Sequence, residues 1–189
     1  MRVLLIGPPA SGKGTQAGVI ARHFGIVHLS SGDLLRQQIA DRTPVGEAAR
    51  ASVDRGDLVP DDVVLEIVRG PIEEASRHGG YVLDGYPRTA EQAAAAQQAI
   101  DGAWIEVALL LEVPRELLVE RMLRRGRTGG RSDDTEEVLR HRIDVFERQT
   151  PPLLDYLGRH ATLLRVDGSR AIEEVSATIV AELERVASP

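Results

Sequence analysis

Apolar residues in this chain fall into short continuous runs separated by segments of helical periodicity, and the two patterns alternate along its length. Val3-Leu4-Leu5-Ile6 predicts a buried strand closed by Gly7. After a Gly/Pro-rich turn, Thr15 to Phe24 has helical apolar spacing, and Ile26 to Leu29 is a second short strand. Ser30-Ser31-Gly32-Asp33 is rich in helix-capping side chains and opens a helix over Leu34 to Asp41. Pro44 starts the next helix and Gly56 stops it. The helix begun at Pro60-Asp61-Asp62 repeats apolar residues at Val63, Val64, Ile67 and Val68, and Gly70-Pro71 is expected to kink or break it. Tyr81-Val82-Leu83 predicts a buried strand ending in the Asp84 carboxylate, followed by alanine-rich helix from Ala90 to Ile100. Ile105 to Leu111 is the most continuous apolar run and predicts a central strand. Pro114 to Arg124 reads as helix, Gly126 to Ser132 as a loop, and Thr135 to Gln149 as helix ended by Pro151-Pro152. Leu163 to Val166 is the last strand and Ala171 to Val186 the last helix. Such alternation predicts an α/β fold, a parallel sheet of about five strands covered by helices on both faces.

Composition narrows the class. A length of 189 residues suits a single domain, 1–189, and a hydrophobic fraction of 42% is that of a globular core. No apolar run approaches the ~18–20 residues of a membrane span, and Met1-Arg2 leads into a strand rather than a signal peptide, so a cytoplasmic protein is expected. The absence of cysteine excludes disulfides and thiolate zinc sites, and the five histidines lack metal-binding spacing, so no zinc is expected. A net charge of -6 argues against nucleic acid as partner, yet a local cluster of cations can still hold a small anion. The cations themselves are one lysine and 22 arginines. We read that bias as the signature of GC-rich coding, in which case a lysine that remains marks a position guanidinium cannot fill.

That lysine lies in Gly7-Pro8-Pro9-Ala10-Ser11-Gly12-Lys13-Gly14-Thr15, a GxxxxGK loop between a strand and a helix. Backbone N–H groups of such a loop converge on a phosphate, and the helix dipole favours its charge. Lysine adds a mobile point charge that the planar arginine fork supplies poorly. The hydroxyl residue, Thr15, comes one place later than in the commonest form, with Gly14 directly after the lysine.

GxxxxGKGT followed by Gln16-Ala17 resembles the nucleoside monophosphate kinases, and most closely the short-lid adenylate kinases. Further segments carry the resemblance from Val3 to the last helix: Ser31-Gly32-Asp33-Leu34-Leu35-Arg36, Gly56-Asp57-Leu58-Val59-Pro60, Asp84-Gly85-Tyr86-Pro87-Arg88, and Gln92. The resemblance implies a reversible transfer from ATP to AMP that yields two ADP, with an AMP-binding segment over 30–59 and a short lid over 124–134. It assigns Ala10, Ser11, Gly12, Lys13, Gly14, Thr15, Arg121, Arg125 and Arg170 to ATP, with Arg121 stacked on adenine. To AMP it assigns Ser31, Arg36, Asp57, Leu58, Val59, Gly85, Tyr86, Pro87, Arg88, Gln92, Arg131 and Arg142. Lys13, Arg88, Arg125, Arg131 and Arg142 are the implied catalytic cations. Mg²⁺ accompanies ATP, its water shell ordered by Asp84, with Thr15 as a second candidate contact. The implied partners are ATP, AMP and ADP, without nucleic acid or membrane, and the implied state is a monomer.

Two departures matter. Position 31 is usually threonine in adenylate kinases; Ser31 keeps the hydroxyl, whereas UMP/CMP kinases tend to have alanine there and no counterpart of Gln92. Ser31 with Gln92 therefore favours AMP. Ala10 stands where glycine is common, and a positive φ there would strain it. Gly70-Pro71 has no functional reading. The competing readings are a kinase of the same fold for another acceptor, which would not need Gln92, and a non-catalytic nucleotide-binding module, which would not need Arg88, Arg131 and Arg142 together.

Overall fold

The computed structural model describes residues 1–100, 104–127 and 136–187, with backbone alone at 123 and 125–127. Its elements are β1 (Arg2–Ile6), α1 (Lys13–Phe24), β2 (Val27–Ser30), α2 (Ser31–Ala40), α3 (Pro44–Arg55), α4 (Asp61–Arg77) and β3 (Tyr81–Asp84). They continue with α5 (Ala90–Ala99), β4 (Val107–Glu112), α6 (Arg115–Arg127), α7 (Glu136–Leu157), β5 (Thr162–Asp167) and α8 (Ile172–Ala187). The strands form one parallel sheet in the order β2-β3-β1-β4-β5. The expected α/β architecture is therefore present. The centre, however, belongs to β1; β4 is interior, flanked by β1 and β5. Both strands are apolar on both faces, so hydrophobicity marks them as interior without ordering them.

Alternation along each strand divides the core. Val3 and Leu5 of β1, with Val107, Leu109 and Leu111 of β4, pack against Ile20 of α1 and Val175, Ile179 and Leu183 of α8. Leu4, Ile6, Ala108 and Leu110 face the other way, onto Val68 and Ile72 of α4, Ala93 and Ala96 of α5, and Leu153 and Leu157 of α7. Each large aliphatic side chain so buried contributes on the order of 1.5–3 kcal/mol relative to exposure.

Two expected helix breaks do not occur. α4 runs unbroken through Pro71, and α7 continues through Pro151 and Pro152 to Leu157. A proline removes an amide hydrogen and crowds the carbonyl four residues back. Here the loss is outweighed by burial on both sides of the prolines: Val64, Val68, Ile72 and Ala75 in α4, and Leu139, Ile143, Leu153 and Leu157 in α7. Gly126 and Arg127, expected in a loop, are the end of α6, and the rest of that loop lies outside the described residues. α1 begins at Lys13 rather than Thr15, with Gly12 as its N-cap in the left-handed region at φ 95°.

The segment from Ser31 to Arg55 is a tight helical hairpin. Thr43 Oγ1 accepts from the Gly46 amide at 3.0 Å and donates to Gln38 Oε1 at 2.7 Å, capping α3. At Gly46 the helices touch backbone to backbone: a Cβ there would lie 2.1 Å from the Gln38 carbonyl oxygen. The loops after β1, β3 and β5, and α2 directly after β2, all leave the sheet at its carboxyl end, where ligands bind in open α/β sheets.

Candidate active site

A cleft of about 1020 Å³ opens at that carboxyl end, lined by the loop after β1, the start of α2, the 56–59 connection, the segment after β3, and one face of α7. Every residue expected to contact a nucleotide, other than Arg125 and Arg131, lines it. The side chain of Arg125 and the whole of Arg131 lie outside the described residues, as does most of the 124–134 segment expected to form a lid.

On one side stands the phosphate loop at the N-terminus of α1. Lys13 Nζ folds back over it and donates to the Gly7 and Pro8 carbonyls at 2.8 and 3.0 Å. Those carbonyls hold the ammonium over the cradle of amides, where a phosphate would meet both. Asp84, the last residue of β3, brings a carboxylate beside the first turn of α1: its Oδ2 would be 4.0 Å from a Cβ on Gly14. Thr15 is exposed to the same cleft. Arg121 donates to Ser11 O (3.4 Å), Gly168 O (3.0 Å) and Ser169 O (3.4 Å), and so bridges the phosphate loop to the loop after β5. Arg170, in that second loop, pairs with Asp167 at 3.3 Å.

Ala10 has φ 63°, so the positive-φ condition raised by the sequence is met. A non-glycine residue there costs on the order of 1–2 kcal/mol, part of which the Ala10 methyl recovers by packing on the Leu118, Met122, Leu139 and Ile143 cluster. Ala10→Gly is expected to raise Tm by about 2–4 °C, the shift of roughly 1 kcal/mol in a chain of this size. A thermal scan showing a lower Tm would mean that methyl packing outweighs the backbone strain.

The opposite side gathers arginines. Arg88 donates from Nε to the Gly85 carbonyl at 2.7 Å, and Arg36 pairs with Asp33 one helical turn away. Solvent reaches Arg88 through the cleft mouth, yet protein surrounds it closely. Desolvation and then the charge of Arg142 lower its pKa, Asp84 opposes the shift, and Arg36 adds to it. Two guanidiniums thus repel that of Arg88, a repulsion that a bound anion would relieve. Beneath them Ser31 is buried and donates from Oγ to the Asp84 carbonyl at 3.2 Å. Gly85 has φ 89°, and a Cβ there would come within 2.7 Å of Ser31 Oγ, so only glycine fits. The Tyr86–Pro87 peptide is cis.

Gln92 is 2% exposed at the cleft wall. Its Oε1 accepts from the Arg88 amide at 2.7 Å and its Nε2 donates to Asp61 Oδ1 at 2.8 Å. Sequence reading did not single out Asp61, because nothing in linear spacing ties position 61 to position 92. It also missed His141, whose Nε2 lies 2.8 Å from Asp57 Oδ1 and joins α7 to the 56–59 connection. Arg55, which bonds the other oxygen of Asp57, and then His141 hold that carboxyl below its ordinary range. Arg142, Phe146, Gln149 and Leu153 of α7 share the cleft wall at helical spacing. That face could have been extended from Arg142 had the helix not been ended early at Pro151.

Among the described residues no group of three or more His, Asp or Glu is placed to hold a metal ion. Asp84 and Thr15 do offer hard oxygen donors at the mouth of the phosphate loop, which suits Mg²⁺ kept in part by water and phosphate.

Comparison with known proteins gives a consistent result. A family model described as adenylate kinase matches residues 5–162. Adenylate kinase of Kocuria rhizophila is 42% identical over 186 residues, covering 97% of this chain and 99% of that protein. Adenylate kinase of Thermus thermophilus is 44% identical over 183 residues, 96% of each chain. Adenylate kinase of Nocardia farcinica is 42% identical over 187 residues, 98% of this chain and 100% of that one.

Proposed function

The chain belongs to the adenylate kinase family, and from that premise we infer how its cleft divides between two nucleotides. It is a nucleoside monophosphate kinase, moving the terminal phosphoryl group of ATP to AMP reversibly to give two ADP. The observation that carries the division is the cluster of Arg36, Arg88 and Arg142 facing the phosphate loop across one cleft.

In this reading Ala10 to Thr15 cradle the ATP phosphates with backbone N–H groups, and Lys13 turns from the Gly7 and Pro8 carbonyls to the outer phosphate oxygens. Arg121 and the backbone at Arg170 flank the ATP base. Arg121, already donating to three carbonyls between the two loops, forms the floor on which an adenine can stack. Arg36 and Arg88 take the AMP phosphate. Ser31, the 57–59 backbone, the Gly85–Arg88 segment and Gln92 surround its base. Residues 30–59 are then the AMP-binding segment and 124–134 the lid.

The attacking group is the AMP phosphate itself, so no strong base is required, and positioning with charge neutralisation does most of the catalysis. Lys13, Arg88, Arg125, Arg131 and Arg142 supply that neutralisation. Asp84, through the ion's water shell, and Thr15 would hold the Mg²⁺ that accompanies ATP, which neutralises phosphate charge there. Closure of the lid and the AMP-binding segment excludes water, so ATP is not lost to hydrolysis. A cytoplasmic monomer serving adenine nucleotide balance completes the proposal. No helix among the described residues is long and apolar enough to cross a membrane, and the net charge of -6 disfavours nucleic acid.

The test is ADP formation from ATP with AMP, UMP, CMP or no acceptor. AMP should exceed each of the others by at least about a hundredfold in kcat/KM, as expected where buried groups hydrogen-bond the base. Equal rates with UMP or CMP would overturn the AMP assignment.

A further inference from the structure

Gln92 is expected to read the acceptor base, and a primary amide can do so in either of two orientations. One presents N–H and C=O in the order that matches adenine, whose N6 donates and whose N1 accepts. The flipped amide matches a 6-oxopurine, whose O6 accepts and whose N1–H donates. Something must choose between them.

The neighbours of Gln92 make that choice. The Arg88 amide, 2.7 Å from Oε1, can only donate, and the Asp61 carboxylate, 2.8 Å from Nε2, can only accept. A flip would set donor against donor at Arg88 and acceptor against acceptor at Asp61. Each of these contacts uses one amide hydrogen or one lone pair, leaving one of each for a ligand. Gln92 lines the cleft, whereas Asp61 does not; the carboxylate stands behind the amide, at the first residue of α4. Tyr86 anchors the backbone of the same residue from its buried hydroxyl, which donates to the Gln92 main-chain carbonyl at 3.3 Å.

We propose that Asp61 is a positioning residue that sets acceptor specificity, holding the Gln92 amide in the orientation that accepts adenine and rejects a 6-oxopurine. This rests on the reading that AMP is the acceptor and that Gln92 meets its base. Asparagine at 61 keeps the shape but can either donate or accept, so one of the two restraints on the flip disappears while the Arg88 amide remains.

The discriminating probe is IMP, which has the reversed edge without the bulk of guanine's amino group. In Asp61→Asn the AMP:IMP ratio of kcat/KM should fall about tenfold, mainly through a higher KM for AMP and a lower one for IMP, with kcat nearly unchanged. Asp62→Asn is the control. It removes the same charge from the same helical turn, and should leave the ratio at its wild-type value even if both variants lose similar thermal stability. An unchanged ratio in Asp61→Asn, with wild type still preferring AMP, would overturn the proposal and leave the AMP assignment standing. Equal loss of discrimination in both variants would also overturn it, since the cause would then be the helix terminus. A wild type indifferent between AMP and IMP would overturn the AMP assignment itself, and this inference with it.

Discussion

Lys13→Arg should lower kcat by ~10²–10³, the loss typical of removing one well-placed charge donor from a transition state, while Tm stays within about 2–4 °C of wild type. The substitution keeps the charge, so the expected loss is purely one of shape. Lys13 reaches back over its own loop and donates to the Gly7 and Pro8 carbonyls from a single nitrogen, a contact a compact ammonium makes at 2.8 and 3.0 Å. A guanidinium is planar, bulkier and committed to a fork of donors, so it cannot occupy that point above the amides without displacing either the carbonyls or the phosphate. Because the chain otherwise uses arginine in every cationic position, the result also tests whether this single lysine is retained for chemical reasons. Steady-state ADP formation with near-wild-type kcat would show that it is not.

Arg88→Ala should cost ~10²–10³ in kcat/KM for AMP with little loss of stability. Arg88 is set among protein walls with the like charges of Arg142 and Arg36 near it and Asp84 as its main counterweight, which is why its pKa is lowered. Removing it relieves repulsion, loses one hydrogen bond to the Gly85 carbonyl, and takes away one of the two cations that hold the acceptor phosphate in our reading. The net change in folding free energy should therefore be about 1 kcal/mol or less. Activity lost at constant Tm is the mark of a group held in place for charge in the reacting state rather than for the fold. A large drop in Tm with proportionate loss of activity would instead make Arg88 a structural residue.

The parts of the site that are contiguous in sequence were open to reading before the fold. The phosphate loop is nine consecutive residues between a strand and a helix, and its chemistry is local: glycines that permit left-handed backbone, amides at a helix start, one ammonium. The condition on Ala10 could be stated from the loop alone, but only the backbone, at φ 63°, decides it. Arg36 and Arg88 are recognisable through the segments that carry them; the repulsion that Arg142 and Arg36 exert on Arg88 depends on α7, α2 and the segment after β3 meeting at one end of the sheet. Asp61 carried no linear signal, because its partner is a side chain 31 residues on, whose partner in turn is a backbone amide.

By itself, then, the sequence determined the element types, the two-faced parallel sheet, the phosphate loop and the family. Those properties follow from local periodicity, local backbone preference and contiguous motifs. Tertiary structure alone decided that β1 rather than β4 is central, that α4 and α7 pass through their prolines, and that Gln92 is pinned between Arg88 and Asp61. The physical reason is common to all three. Strand order, the burial that holds a proline-bearing helix together, and the direction of an amide depend on contacts between residues distant in the chain, whose energies no local window contains.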